Sequence, residues 1–247
     1  MRIICTKDYG QVSRKAANII FAQVTLKPDS VLGLATGSSP VGTYRYLIER
    51  YQKGDIDFGR IRTVNLDEYA GMDLNNGNSY AAFMQTNFFE HINVPPENTN
   101  IPNGMAADQK EECARYDEVI QALGGIDLQL LGIGSNGHIG FNEPGDVFSE
   151  RTHHVALAEA TIEANKRFFS KKEDVPRFAY TMGIYDIMQA ERVIMVACGK
   201  QKAEIIKKAF TEPVTPRVPA SILQFHRNFT LIADEEALSE IIYEKYS

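Results

Sequence analysis

The 247-residue sequence has little of what marks several protein classes. Its 18 glycines and 10 prolines are too few for a collagen-like or low-complexity chain. No apolar run approaches the roughly 18 residues that a membrane-spanning helix needs, so we expect no membrane partner. No long apolar stretch follows the first charges of the N-terminus, so we expect no signal peptide. The composition, 44% hydrophobic and 23% charged, is that of an ordinary globular protein.

Basic clusters and paired cysteines are also lacking. The formal net charge is −6, and no dense Lys/Arg cluster is present, so we expect no nucleic-acid partner. The three cysteines, Cys5, Cys113 and Cys198, are scattered, and none belongs to a CxxC pair. This pattern is typical of a reducing, cytoplasmic setting and predicts that the thiols are packing residues.

Hydrophobic periodicity alternates between strand-like and helix-like segments. Apolar residues at intervals of three and four predict an amphipathic helix over residues 8–26. Short apolar runs bounded by polar turns predict strands over residues 31–35, 62–66, 128–133, 192–198 and 228–233. The remaining helices are predicted over residues 41–51, 79–91, 107–123, 201–210 and 235–246.

This alternation predicts an α/β fold: a single doubly wound, mostly parallel sheet with helices on both faces, Rossmann-like in type. No linker, charge block or internal repeat divides the sequence, so we expect one domain over residues 1–247. In open sheets of this kind, ligands bind beyond the carboxyl ends of the strands. The polar residues that follow each predicted strand are therefore the candidates for function.

The first such segment is a small polar turn, Thr36, Gly37, Ser38 and Ser39, between a strand and a helix that starts near Pro40. Backbone N–H groups at a helix N-terminus, beside hydroxyls, can bind an anion. The alternative is a capping turn with a Ser or Thr side chain as N-cap. The turn fits neither a Walker A loop nor the G-x-G-x-x-G fingerprint.

The second segment places Asp67 and Glu68 directly after a predicted strand. A carboxylate at a strand end suits a general base or a ligand. The alternative is an N-cap or a surface acid.

The third segment is the glycine-rich stretch over residues 130–145, which follows a strongly apolar strand. It holds Asn136, His138 and Glu143. A histidine oriented by a carboxylate is a common general acid–base arrangement, since its charge changes near neutral pH. The alternative is a tight structural loop with a satisfied histidine.

Two cations form the fourth candidate, Arg167 and Lys202. Either could bind a phosphate, although each alone could also be a solvated charge. The neighbouring His153 and His154 do not share a helix face, and no third ligand has suitable spacing. We therefore expect no metal site.

Taken together, these segments resemble the glucosamine-6-phosphate deaminase (isomerase) family. The resemblance is carried by GLATGSSP, NLDEYAG, the stretch from Gly134 to Pro144, the residues around Arg151, ANKRFF and GKQKA, and it spans about residues 33–203. The combination of the DEY and NGHIGFNEP motifs is highly specific to this family.

The resemblance implies a cofactor-free hydrolase that acts on a sugar phosphate. Glucosamine 6-phosphate and water give fructose 6-phosphate and ammonium, as in amino-sugar catabolism. At the matching positions His138 opens the sugar ring, and Glu143 orients His138 and balances its charge. Asp67 moves the C2 proton to C1 through an enolamine. Asn136 completes the ring-opening group; some members have Asp there, and Asn can only orient or hydrogen-bond. The positions that match the phosphate site are Thr36, Gly37, Ser38, Ser39, Arg167 and Lys202.

The resemblance also bears on regulation. Better-known allosteric, hexameric members have longer C-terminal ends and basic residues where this chain has His153 and Val155. We therefore expect a monomer or small homo-oligomer with little or no activation by N-acetylglucosamine 6-phosphate. The segment over about 151–177, which carries Arg167, is expected to be a mobile lid.

Three other functions fit the same residues less well. A 6-phosphogluconolactonase of the same fold would need a base that activates water. Such an enzyme has no evident task for a base that takes a proton from C2, the role expected for Asp67. A non-catalytic sugar-phosphate sensor would have no use for His138, Glu143 and Asp67 together, and no helix-turn-helix precedes the fold. A nucleotide-binding Rossmann protein would carry a G-x-G-x-x-G fingerprint after its first strands.

Overall fold

Seven parallel strands form the central sheet of the computed structural model, which describes residues 1–244. Across the sheet they are β1 (Arg2–Thr6), β10 (Phe229–Asp234), β9 (Arg192–Ala197), β6 (Leu128–Leu131), β2 (Val31–Leu34), β3 (Arg62–Asn65) and β5 (Thr99–Asn100). Every neighbouring pair is parallel. The predicted mostly parallel α/β fold is therefore confirmed.

Helices cover both faces of this sheet because the strands are apolar on both sides. On β9, Ile194 and Val196 belong to one core cluster, while Val193 and Met195 belong to the other. Alternate residues of a strand point to opposite faces, so each strand contributes to both clusters. The helices are α1 (Tyr9–Leu26), α2 (Val41–Gln52), α3 (Tyr80–Asn87), α4 (Gln109–Ala122), α5 (Glu159–Asn165), α6 (Ile184–Gln189), α7 (Ala203–Thr211) and α8 (Ser239–Glu244).

A second sheet corrects the prediction of a single one. The strands β4 (Asp67–Tyr69), β8 (Phe178–Thr181) and β7 (His153–Ala156) form a small antiparallel sheet in the order β4-β8-β7. They are only three or four residues long, too short for the period-two pattern that marks a strand in sequence. Asp67 therefore lies on a strand rather than in a loop.

The candidate segments meet where the strand order changes direction. From β2 the chain proceeds outward through β3 to β5, whereas β6 lies on the other side of β2 and leads to β9 and β10. Such a switch point opens a crevice at the carboxyl ends of the two central strands. The turn after β2 and the glycine-rich loop after β6 are the walls of this crevice.

Several boundaries differ from the predictions. The helix predicted over 79–91 ends at Asn87 and is followed by a 3-10 turn, Phe89–His91. The last helix was predicted to end at Tyr246, which lies outside the described residues.

Cys5 is exposed, because β1 is an edge strand, so it is not the packing residue that we expected. Within residues 1–244, no helix is long and apolar enough to cross a membrane.

Candidate active site

The hydroxyls of the turn after β2 do not cap the helix that follows it. Gly37 adopts φ +85°, a conformation open mainly to glycine. Within the described chain the N-cap of α2 is Pro40, and no side chain caps this helix. The capping alternative therefore does not apply to Thr36, Ser38 or Ser39.

Two tyrosines hold this turn in place. Tyr9 donates its hydroxyl to the Ser38 carbonyl at 3.0 Å and accepts the Gly42 N–H at 2.8 Å. Tyr44, fully buried, donates to the Ala35 carbonyl at 2.6 Å. The turn is thus fixed in shape before any ligand arrives.

Both predicted cations line the same cavity as this turn. Arg167 donates to the Ser38 hydroxyl at 3.3 Å, and Lys202 donates to the Ile133 carbonyl at 2.6 Å. Burial and the nearby charge of Arg167 lower the pKa of Lys202. The two positive charges repel each other, and an anion between them would relieve that repulsion.

Asp67 is almost completely buried at the wall of the same cavity, with 6% of its surface exposed. Burial raises its pKa to about 8, and the neighbouring charge of Glu68 adds to the effect. This environment excludes the surface-acid alternative. A carboxyl group with a pKa near neutrality is suited to take and return a proton.

Glu68 serves as a structural anchor. Its carboxylate accepts backbone N–H bonds from Tyr69, Tyr80 and Ala81 at 2.8, 3.0 and 2.9 Å. Two of these donors begin helix α3, whose N-cap side chain is Ser79. Burial nevertheless raises the pKa of Glu68, against the effect of these bonds. Sequence reasoning placed Glu68 beside Asp67 but did not find this role.

Two glycines let the loop after β6 fold tightly over the site. A Cβ on Gly134 would lie 2.2 Å from Cε1 of His138, so only glycine leaves room for the imidazole. Gly140 adopts φ +57°, and a Cβ there would lie 2.8 Å from the Thr181 hydroxyl and 3.5 Å from Oδ2 of Asp67. The loop that carries His138 is therefore packed directly against Asp67.

His138, Asn136 and Glu143 form one hydrogen-bonded group. Oε2 of Glu143 accepts the Asn136 side-chain amide at 2.7 Å and lies 3.5 Å from Nδ1 of His138. The Asn136 carbonyl oxygen accepts the His138 backbone N–H at 3.2 Å. Burial acts to raise the pKa of Glu143, but the contacts with His138, Thr161 and Asn136 outweigh it and lower the pKa to about 2. Glu143 is therefore an ionised carboxylate beside the ring of His138.

Helix α5 contributes contacts that sequence reasoning missed. Thr161 donates its hydroxyl to Oε1 of Glu143 at 2.5 Å, and Asn165 donates to the Tyr69 hydroxyl at 3.0 Å. Asn165 lies within the ANKRFF motif, which was a usable signal, whereas nothing in the sequence around Thr161 indicated its contact.

A cavity of about 1010 Å³ is lined by most of these groups, but not by Glu68, Asn136 or Glu143. The polar turn and the two cations lie on its wall together with Asp67 and His138, and Thr161 and Asn165 belong to the same lining. Across residues 1–244, no group of three or more His, Cys, Asp or Glu side chains could hold a metal ion. His153 and His154 do not pair: one ring contacts the Arg151 carbonyl, and the other stacks on Phe178.

A sequence model of the family described as "Glucosamine-6-phosphate isomerases/6-phosphogluconolactonase" matches residues 9–232. The chain belongs to this family. The predicted resemblance is thereby confirmed. Among family relatives, the glucosamine-6-phosphate deaminase of Lachnoclostridium phytofermentans is 60% identical over 232 residues, which cover 94% of this chain and 98% of that protein. The glucosamine-6-phosphate deaminase of Clostridioides difficile is 49% identical over 246 residues, 100% of this chain and 99% of that one.

Solved structures of the family agree with the fold. One described as a monomeric glucosamine-6-phosphate deaminase superposes with a TM-score of 0.95 at 46% identity, covering 97% of this chain and 100% of that one. The 6-phosphogluconolactonase of Trypanosoma brucei superposes with a TM-score of 0.74 at 19% identity, over 97% and 98% of the two chains. At that identity the second likeness concerns the fold alone.

Proposed function

We propose that this protein converts glucosamine 6-phosphate and water to fructose 6-phosphate and ammonium. The observation that carries the proposal is that a buried carboxyl group, Asp67, and the imidazole of His138 line one cavity with the turn after β2, while the ionised carboxylate of Glu143 lies 3.5 Å from Nδ1 of His138. An aldose-to-ketose conversion needs both a ring-opening group and a base for C2. The named relatives, 49–60% identical, support the same substrate.

Ring opening is assigned to His138. The imidazole takes the proton of the anomeric hydroxyl and returns a proton to the ring oxygen, which breaks the C1–O5 bond and leaves the open-chain aldehyde. The ionised Glu143 stabilises the transient imidazolium. Asn136 cannot carry a proton, and its two hydrogen bonds fit the orienting role that we expected for it.

Asp67 is assigned the transfer of a proton between adjacent carbons. Its carboxylate takes the C2 proton to give an enolamine and returns it to C1, which leaves an iminium group at C2. Water adds to C2, and ammonium leaves, so one water is consumed and the reaction is hydrolytic overall. An ammonium group on the bound substrate would favour the ionised form of Asp67, whose pKa is high in the empty cavity.

The phosphate group is assigned to the turn after β2. The amides and hydroxyls of Thr36, Gly37, Ser38 and Ser39 would bind its oxygens, and Arg167 and Lys202 would offset its charge. These local charges allow an anion to bind although the chain carries a net charge of −6.

The assay that tests the proposal measures both products. The purified chain, treated with a chelator, is incubated with glucosamine 6-phosphate, and we expect ammonium and fructose 6-phosphate in equal amounts. A parallel reaction with 6-phosphogluconolactone tests the lactonase alternative within the family. Hydrolysis of the lactone without ammonium release from the amino sugar would reverse the assignment.

We further propose that residues 1–247 act as one unit, with a lid over about 151–177 and little or no activation by N-acetylglucosamine 6-phosphate. A solved relative described as monomeric supports a monomer. Light scattering of the purified protein tests the oligomeric state. A sigmoidal substrate curve that becomes hyperbolic with N-acetylglucosamine 6-phosphate would contradict this expectation of little or no activation.

A further inference from the structure

The two oxygens of the Glu143 carboxylate are held by different parts of the protein. Oε2 faces Asn136 and His138, which lie on the same loop as Glu143. Oε1 instead accepts the hydroxyl of Thr161 at 2.5 Å and the N–H of Ala158 at 3.4 Å. Both of these donors belong to the segment 151–177, outside the seven-stranded sheet. The orientation of the carboxylate therefore depends on where this segment lies.

We propose that Thr161 is a positioning residue for ring opening that acts through Glu143. Ring opening then requires segment 151–177 to lie in the position seen here, with Thr161 against Glu143. The inference rests on the proposed function and adds to it. The terminal torsion of a glutamate side chain is broad and weakly restrained, so a carboxylate held by only one oxygen can rotate. With Oε1 held by Thr161, Oε2 stays directed at the histidine.

Burial and hydrogen bonds hold the Thr161 hydroxyl in place. The residue is buried, with 4% of its surface exposed, and its N–H donates to the Ala158 carbonyl at 2.9 Å. Asn165, one helical turn later, donates to the Tyr69 hydroxyl and fixes the same side of α5 to the site. Ile162 packs in the small apolar cluster with Tyr69 and Phe141.

This arrangement connects phosphate binding to ring opening. Arg167, which faces the turn after β2, lies six residues after Thr161 in the same segment. An anion bound at the turn would hold Arg167 in place, and the segment would then keep Thr161 against Glu143. Displacement of the segment would instead leave the carboxylate free to turn away from His138.

The experiment compares Thr161→Val, which keeps the shape and removes the hydroxyl, with Thr161→Ser, which keeps the hydroxyl. The matched control is Thr63→Val, because the Thr63 hydroxyl is buried without a hydrogen-bond partner among the described residues. We expect Thr161→Val to lower kcat by about ten- to a hundredfold, with KM changed by less than about twofold. Thr161→Ser and Thr63→Val should stay within about threefold of the unmodified protein. Thermal unfolding establishes that each variant is folded.

A double-mutant cycle with Glu143→Ala tests whether Thr161 acts through Glu143. If it does, adding Thr161→Val to Glu143→Ala lowers kcat by no more than about twofold further. Full additivity, a kcat of Thr161→Val equal to that of the unmodified protein, or no rescue by serine would each overturn the inference alone. Absence of deaminase activity in the unmodified protein would overturn the proposed function, and the inference with it.

Discussion

Asp67 and Glu68 are adjacent on one short strand, yet of the two carboxylates only that of Glu68 accepts backbone N–H groups of the described residues. Three N–H groups donate to Glu68, whereas Asp67 receives no side-chain hydrogen bond from the described residues. Burial and the charge of Glu68 both raise the pKa of Asp67. The charge state of the proposed base is therefore set in part by a neighbour that is not among the residues lining the cavity.

This relationship predicts the pH dependence of the reaction. Because the base must be ionised, kcat/KM should rise with pH through about 8, the pKa of Asp67 in the empty cavity. Glu68→Gln removes a negative charge beside Asp67, so the acid limb should move to lower pH. Rate measurements between pH 5 and 9, on the order of one per half unit, check this.

The control is Glu97→Gln, which removes one charge at an exposed position of the 3-10 turn Pro96–Asn98. Its profile should match that of the unmodified protein. An acid limb that Glu68→Gln leaves in place, or moves to higher pH, would contradict the coupling between the two carboxylates.

Asp67→Asn tests two effects of this carboxyl group, its role in the reaction and its cost to the stability of the folded protein. In the unfolded chain Asp67 loses its proton near its ordinary pKa of 3.8, whereas in the folded protein it keeps the proton up to about pH 8. Between these two pH values the folded protein therefore holds one more proton than the unfolded chain. The free energy of unfolding therefore falls as pH rises through this interval, by at most about 1.4 kcal/mol per pH unit. Asp67→Asn should abolish ammonium release and flatten this slope, as urea unfolding at pH 6, 7 and 8 would show. An unchanged kcat would rule out the assigned role.

The sequence predicted much of the central sheet because its strands are apolar on both faces. The runs at β2, β6, β9 and β10 stand out from the helices around them, and each was placed within about two residues. The small antiparallel sheet was missed. Its strand His153–Ala156 is polar and half exposed, and its stability depends on pairing with Phe178–Thr181, distant in sequence.

The residues of the candidate site likewise divide into those that the sequence could indicate and those that it could not. Asp67, His138 and Glu143 could be selected because they follow predicted strands and because the motifs resemble a known family. Thr161 could not, since a threonine inside a short helix has many structural uses and its contact with Glu143 spans 18 residues. The orientation of Asn136 depends on two hydrogen bonds that only the folded loop creates.

His138→Gln should slow only the ring-opening step of the reaction. Loss of a positioned acid–base group costs about a hundredfold or more in kcat. The reduced analogue of the substrate, which has no ring to open, should bind the variant as well as it binds the unmodified protein. Calorimetric titration with that analogue, beside a kinetic assay, checks both statements. His91→Gln, at an exposed position of the 3-10 turn Phe89–His91, is the control.

Lys202→Ala tests the phosphate site. Lys202 is partly buried and donates to the Ile133 carbonyl, whereas Lys200, two residues earlier in the same 3-10 turn, is exposed. Loss of a charge-assisted bond to phosphate should raise KM by about tenfold or more and change kcat less, if the bond is equally strong in the ground and transition states. Lys200→Ala should leave both constants unchanged. A variant of Lys202 that loses kcat at constant KM would assign this residue a role in the chemical step.

The proposed lid predicts a change in protection when a ligand binds. Asn165 joins the lid to the fixed part of the site through the Tyr69 hydroxyl, so Asn165→Ala should open the lid and raise KM severalfold. Glu163→Gln is the control within α5, because among the described residues Glu163 forms ion pairs only with the lid residues Lys166 and Lys172. Hydrogen exchange over residues 159–165 should slow on addition of the acyclic substrate analogue in the unmodified protein, and less so in Asn165→Ala. Equal exchange with and without the analogue would mean that this segment does not close over the substrate, since closure must protect its amides.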